Sequence, residues 1–306
     1  MLAHVTGANG FIGTHLIHHL DAKGWSATAA CRRPTNFGGS VNVCSAEMHC
    51  HADSVVFHLA GRAHRTVRTR DVDLYQQDNC DEALASYRRA VQASANAFIF
   101  LSSARVIGES SSMPLADDAE PNPVGAYAAS KHRAEVELAR LNDEYGLPLA
   151  IVRPPLVYGP GVKANFLKLL SWSRRPWPLP VGCATALRSM VYVGNLVDLL
   201  EILGHRVAAH RAKANVWHVK DSEDLDVASL TRRLAQIMGS AARVVPVPRS
   251  AVDLVARVFG QKQLAGQLFD PFQIDDGRTR ERLDWAPPTS VDDGLRTTVE
   301  WFLREC

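Results

Sequence analysis

Cysteine is sparse and shows no pairing pattern. Cys31, Cys44, Cys50, Cys80, Cys183 and Cys306 form neither a CxxC nor a repeated metal spacing, which argues against a disulfide scaffold and a zinc module. His49-Cys50-His51 groups metal-type side chains, but alternating ligands without a second cluster are ordinary loop residues, and no metal is assigned. No apolar run approaches the roughly 20 residues of a membrane span, so membrane insertion is not expected. Neither sign of charge dominates, with 34 Lys and Arg against 32 Asp and Glu. Such a balance leaves no overall field for nucleic acid. There is no internal repeat or low-complexity tract, and no signal peptide ahead of the first strand. These absences leave a reduced, cytoplasmic, globular protein as the expectation, with any anion bound by a local device.

What is present is ample core material: 306 residues, 46% of them hydrophobic, suffice for one large or two modest domains. Leu2 to Thr6 reads as a strand running into Gly7-Ala8-Asn9-Gly10-Phe11-Ile12-Gly13, after which Leu16, Ile17 and Leu20 fall at helical spacing. Glycines there permit a tight turn and close backbone approach to a pyrophosphate, whose charge the helix N-terminus meets. The next strand, Trp25 to Cys31, ends where an acidic residue about 20 positions past the glycines would hold the adenosine ribose of NAD. Here the chain reads Cys31-Arg32-Arg33-Pro34. Two arginines without a carboxylate suit the 2′-phosphate of NADP; the alternative is a pair of solvated arginines.

Ser54 to Leu59 is a buried strand that ends in Leu59-Ala60-Gly61. Arg62, His64, Arg65, Arg68 and Arg70 follow, as either a lid over a diphosphate or a solvated charged loop. Phe98 to Leu101 is apolar, with Ser102-Ser103 at its carboxyl end, the end outside which open parallel sheets bind ligands. Read by itself, Ser103 is a strand-terminal serine that can bond its own backbone. Tyr127 and Lys131, four residues apart in GAYAASK, share one helical face. A cation held near a phenol lowers its pKa and makes it a usable acid or base. The competing reading is a buried stripe of Tyr127, Ala134, Leu138 and Leu141 with Lys131 at its edge.

The GxxGxxG turn, Ser103-Ala104-Arg105-Val106-Ile107-Gly108 and the Tyr127/Lys131 pair together resemble the extended short-chain dehydrogenase/reductase family, which comprises nucleotide-sugar epimerases, dehydratases and ketoreductases. The resemblance implies an α/β fold, a Rossmann-type doubly wound parallel sheet with a smaller discontinuous C-terminal substrate domain. Residues 1–162 plus about 190–220 would bind NADP(H), or alternatively NAD(H); about 163–189 plus 221–306 would bind a UDP-sugar. By resemblance, Ser103, Tyr127 and Lys131 are catalytic. Gly7, Asn9, Gly10, Phe11, Ile12, Gly13, Arg32, Arg33, Leu59, Ala60, Gly61 and Asn79, the last at the head of a helix, hold the cofactor together with Tyr127 and Lys131.

The run from Arg153 to Phe166 carries the most specific likeness. It implies that backbone at Pro154 to Val157 packs on the nicotinamide and that Asn165 reaches the substrate diphosphate, which Arg188 also grips. Leu283-Asp284-Trp285-Ala286-Pro287 is similar to the closing LGWxP motif. A second diphosphate arginine, late in many UDP-sugar epimerases, has no counterpart between Gln261 and Asp276. Dehydratases of the family place Asp and Glu where Ala104 and Arg105 stand, so water elimination is not implied. The likeness is greatest to C4 ketoreductases acting on UDP-4-keto-6-deoxy-N-acetylhexosamines in surface-polysaccharide pathways. UDP-glucose or UDP-N-acetylglucosamine 4-epimerase is the alternative, and a dinucleotide-sensing regulator the non-enzyme one. A homodimer through the Asn79 and Tyr127 helices is the assembly implied.

From Arg32 and Arg33, NADPH is expected to outperform NADH in kcat/KM, and changing both arginines to Ala should erase the preference. An unchanged ratio in the double variant would show that the arginines are only solvated.

Overall fold

The computed structural model describes residues 1–31, 37, 41–45, 50–62, 71–209, 214–241, 243–252 and 264–306. Arg32, Arg33, His64, Arg65, Arg68 and Arg70 lie outside the described residues. Seven parallel strands form the main sheet: β1 (Leu2–Thr6), β2 (Ser26–Cys31), β3 (Asn42–Ser45), β4 (Ser54–His58), β5 (Ala97–Leu101), β6 (Leu149–Arg153) and, later in the chain, β10 (Asn215–His218). Their order is β3-β2-β1-β4-β5-β6-β10, which is the expected doubly wound arrangement. Strand order reverses between β1 and β4, and the crevice opens there.

A parallel sheet is covered on both faces, so its strands are apolar throughout; β4, β5 and β6 are buried at every residue. Alternation sends neighbouring side chains to opposite cores. Val5, Phe57 and Ile99 meet α1 (Phe11–Ala22) through Leu16, Ile17 and Leu20 on one face. On the other face Val56, Phe98 and Phe100 meet Tyr87 and Ala90, and then Ala134, Leu138 and Leu141.

The helix that supplies Tyr87 is longer than expected and is interrupted. Segment α2 (Asp71–Gln76) passes through a π turn (Gln77–Asp81) into α3 (Glu82–Gln92). Asn79 therefore sits inside this helix, in the π turn, and not at a helix head. A π turn inserts one extra residue and widens the coil locally, a device often found at functional sites. Helix α4 (Gly125–Tyr145) carries Ala134, Leu138 and Leu141 and stops at Gly146, whose φ of 72° is the left-handed closure glycine permits.

Beyond β6 the chain builds a second, smaller core. Strand β7 (Leu156–Tyr158) pairs with β9 (Met190–Tyr192), and β8 (Pro178–Leu179) with β11 (Arg243–Val244). Around them lie α5 (Ala164–Ser173) and α7 (Val227–Ile237). Helices α8 (Leu264–Phe269) and α9 (Gly277–Leu283) lead to the closing α10 (Val291–Glu305). Tyr158, Phe166, Leu170, Leu234, Leu295 and Phe302 fill this core. Helix α6 (Val193–Ala209) returns to the sheet and lays Leu196, Leu199, Leu200 and Leu203 beside α1.

Asp221, just past β10, rivets the two cores together. It is 1% exposed, and its carboxylate accepts from the Tyr158 hydroxyl (2.8 Å), the Tyr192 amide (3.0 and 3.1 Å) and Asn195 Nδ2 (2.8 Å). Asn195 in turn bonds both the N–H and the C=O of Thr289, ahead of α10. Burial pushes the Asp221 carboxyl pKa up, and the donors around it oppose that shift. Asp221→Ala would remove the acceptor shared by three buried donors, and a loss of about 2–4 kcal/mol is expected. The midpoint of denaturant unfolding measures it; an unmoved midpoint would mean water replaces the carboxylate at no cost.

Candidate active site

The three glycines after β1 each answer a different steric demand. Gly7 has φ 68°, and a Cβ there would lie 2.7 Å from the Ala60 nitrogen and 2.9 Å from the Leu59 carbonyl carbon. At Gly13 a Cβ would lie 2.3 Å from the Gly7 oxygen. Gly10 is the N-cap of α1 and has no side chain with which to satisfy the helix's first N–H groups. Leu59 and Ala60 are held to β1 by the Leu59 N–H to the Thr6 carbonyl (3.2 Å) and the Ala60 N–H to Thr6 Oγ1 (3.3 Å). The result is a cradle of backbone that side chains would fill, beneath uncapped helix donors. These residues fit a dinucleotide pyrophosphate.

Three neighbours complete this corner. The exposed Asn9 turns its backbone toward the Cys31 sulfur, which sets the end of β2 beside the glycine turn. Phe11 lies edge-on to His15 at 5.7 Å, and His15 Nε2 is 2.7 Å from the Pro160 carbonyl. The start of α1 is thereby tied to the turn after β7. Ile12 packs partly buried on the sheet core.

Asn79 draws the end of β4 onto α4. Its Oδ1 accepts from the Arg62 N–H (2.7 Å), while its Nδ2 donates to the Arg62 carbonyl (3.2 Å) and to Ser130 Oγ (2.9 Å). Gly61 sits between: a Cβ there would be 2.8 Å from Asn79 Oδ1 and 3.3 Å from Lys131 Nζ.

Ser103 follows β5 as N-cap of a short 3-10 turn (Ala104–Ile107), and its Oγ accepts the Arg105 N–H at 3.3 Å. The hydroxyl also lies in hydrogen-bonding reach of the Tyr127 phenol. The backbone contact is the one read from the sequence for a strand-end serine. Tyr127, on the first turn of α4, is braced edge-on by Tyr75 at 6.2 Å.

The expected electrostatics of the Tyr127/Lys131 pair need correction. Burial raises the Tyr127 pKa, and the Ser103 hydroxyl and Arg105 work against that rise. Lys131 is 4% exposed, donates to the Leu101 carbonyl at 2.9 Å and lies 4.6 Å from the centre of the Phe100 ring. Its ammonium is thus engaged with the end of β5. Burial brings its pKa down to about 8, and Glu135 pulls it upward. The edge position of the competing reading is equally excluded by that burial.

On the substrate side, the Pro154 carbonyl accepts the Ala104 N–H (2.9 Å), binding the crossover to the Ser103 turn, and Val157 lies partly buried in β7. Asn165 is exposed on the first turn of α5. Arg188 donates to the Asp270 carbonyl and lies 5.8 Å over Phe272. Arg249, which sequence reasoning missed, reaches the Asp270 carboxylate at 2.5 Å. It lies outside the Gln261 to Asp276 window and comes beside Arg188 only through Asp270. Tyr75, which braces Tyr127, was missed as well.

A family model, the NAD dependent epimerase/dehydratase family, matches residues 3–216. A UDP-glucose 4-epimerase of Vibrio cholerae is 32% identical over 315 residues, covering 98% of this chain and 95% of that protein. The chain belongs to this family. It is an NAD-dependent enzyme of the extended short-chain dehydrogenase/reductase class. Among solved structures, MoeE5 in complex with UDP-glucuronic acid and NAD superposes with a TM-score of 0.79 at 23% identity over 100% of both chains. RMD from Pseudomonas aeruginosa complexed with NADPH gives 0.75 at 20% identity, over 99% of both chains. Both show the same fold. Among the described residues, no helix is long and apolar enough to cross a membrane.

Asn79→Ala is expected to release the Gly61–Arg62 backbone from α4 and weaken NADPH binding on the order of tenfold, since three hydrogen bonds are lost. Fluorescence titration of NADPH measures this; unaltered affinity would make Asn79 a structural residue alone.

Proposed function

We propose that this protein is an NADPH-dependent nucleotide-sugar reductase acting on the C4 ketone of a UDP-4-keto-6-deoxy-N-acetylhexosamine. What supports this direction is the sequence Cys31-Arg32-Arg33, which offers no carboxylate to help retain NAD, together with Ala104 and Arg105, which stand where dehydratases of the family place Asp and Glu. NADPH bound on the glycine cradle supplies the hydride. In this reading Tyr127 gives its proton to the oxygen, Ser103 holds that oxygen in line, and Lys131 bears on the nicotinamide ribose. Residues 163–189 and 221–306 grip the sugar nucleotide, with Arg188, Arg249 and Asn165 toward the diphosphate; a planar guanidinium suits phosphate. The arginines that follow Cys31 favour NADPH, which a reductase must exchange at each turnover.

A 4-epimerase is the second reading, favoured by the Vibrio cholerae relative. It would use the same three residues around a retained NAD, with no net reductant consumed.

Purified protein given the 4-keto sugar and NADPH should oxidise one NADPH per 4-hydroxy product, and leave UDP-glucose unchanged without reductant. Tyr127→Phe should cost on the order of 100-fold or more in kcat with the fold retained. Catalytic interconversion of gluco and galacto isomers, with NAD carried through purification, would instead establish the epimerase.

A further inference from the structure

One turn beyond Lys131, on the buried face of α4, lies a carboxylate to which the mechanism above gives no part. Glu135 is 4% exposed. It accepts Arg153 Nε at 3.0 Å and Nη2 at 2.6 Å in a fork-to-fork pair, and also the Ser102 hydroxyl. The two side chains are 6% and 5% exposed. Such a pair is weak evidence for stability, because removing both charges from water offsets most of their attraction. What it faces is the reaction centre. Ser102 is the neighbour of Ser103, and its own N–H bonds the Val152 carbonyl (2.8 Å), next to Arg153. The strand end it belongs to also offers the Leu101 carbonyl to Lys131.

Groups packed round Lys131 come from four elements. Tyr127 and Glu135 share its helix; Leu101 and Phe100 belong to β5; Asn79 comes from the π turn; His58, on β4, is held neutral by burial, with its pKa down to about 3. Arg153, at the end of β6, stands behind Glu135. Among the described residues Glu135 is the anion whose charge reaches the ammonium.

We propose that Glu135 is a positioning residue for the acid/base centre: it orients Ser102, and hence Ser103, through its hydroxyl contact, and presents a fixed negative charge to the Lys131 ammonium. Arg153 holds the carboxylate in that orientation. The proposal rests on the reading of Ser103, Tyr127 and Lys131 as the reacting set.

The sign of the electrostatic effect follows directly. Lys131 titrates near 8 with Glu135 raising it; removal of the carboxylate's charge must lower that value further. The test is the titration of Lys131 by NMR in protein carrying 13Cε-labelled lysine, the resonance being assigned by its loss in Lys131→Met. Glu135→Gln is expected to shift the midpoint downward on the order of one pH unit, and to move the alkaline limb of kcat/KM by the same amount. Glu135→Asp, which keeps the charge, should restore most of the shift, an outcome that simple loss of packing would not give. If Glu135→Gln leaves Arg153 unpaired and the chain fails to fold, the double variant Glu135→Gln/Arg153→Met removes both charges at similar volume and should show a smaller downward shift, because loss of the Arg153 cation behind the carboxylate offsets part of it. A Lys131 midpoint unchanged in whichever of these folds would overturn the proposal. Because the titration needs no substrate, it stands or falls separately from the identity of the sugar.

Discussion

Every strand of the large sheet runs in the same direction, so every strand ends on one edge, and the chemistry collects there. On that edge β1 runs into the glycine turn, β4 into Leu59-Ala60-Gly61, β5 into Ser102-Ser103, β6 into Arg153-Pro154 and β10 toward Asp221. The spacing of the edge is set where Gly7 passes Ala60 at a distance that admits no Cβ. That contact lies between β1 and β4, at the point where strand order reverses.

Burial makes this edge electrostatically demanding. Asn79, Lys131, Glu135, Arg153 and Asp221 are all buried, and each would be costly without partners. Each is satisfied by a group from another element, so the polar contacts that remove the penalty also fix one element against the next. Asn79 joins the π turn, the end of β4 and α4; Glu135 joins α4, β5 and β6; Asp221 joins β7, β9 and α6. Within three turns α4 presents Tyr127, Ser130, Lys131 and Glu135 to three different strand ends or turns. It is the element that ties these strand ends and the π turn together.

While β3 (Asn42–Ser45) left no pattern and the doubly wound order was implied by the family resemblance, composition, periodicity and glycine spacing by themselves displayed most of the strands and helices, the glycine turn after β1 and the place of Ser103 at the end of β5. Those features depend on local steric rules and on residues three or four apart, which a linear chain displays openly. Tertiary structure alone decided what surrounds each group. The π turn took Asn79 from a helix head to a helix interior, because an extra residue in a coil leaves no mark in the apolar pattern. Lys131 was drawn to the Leu101 carbonyl and the Phe100 ring, 30 and 31 positions earlier in the chain. Arg249 met Arg188 only across Asp270. Protonation and charge pairing are set by distance and desolvation in three dimensions, and neither quantity exists until the chain has folded.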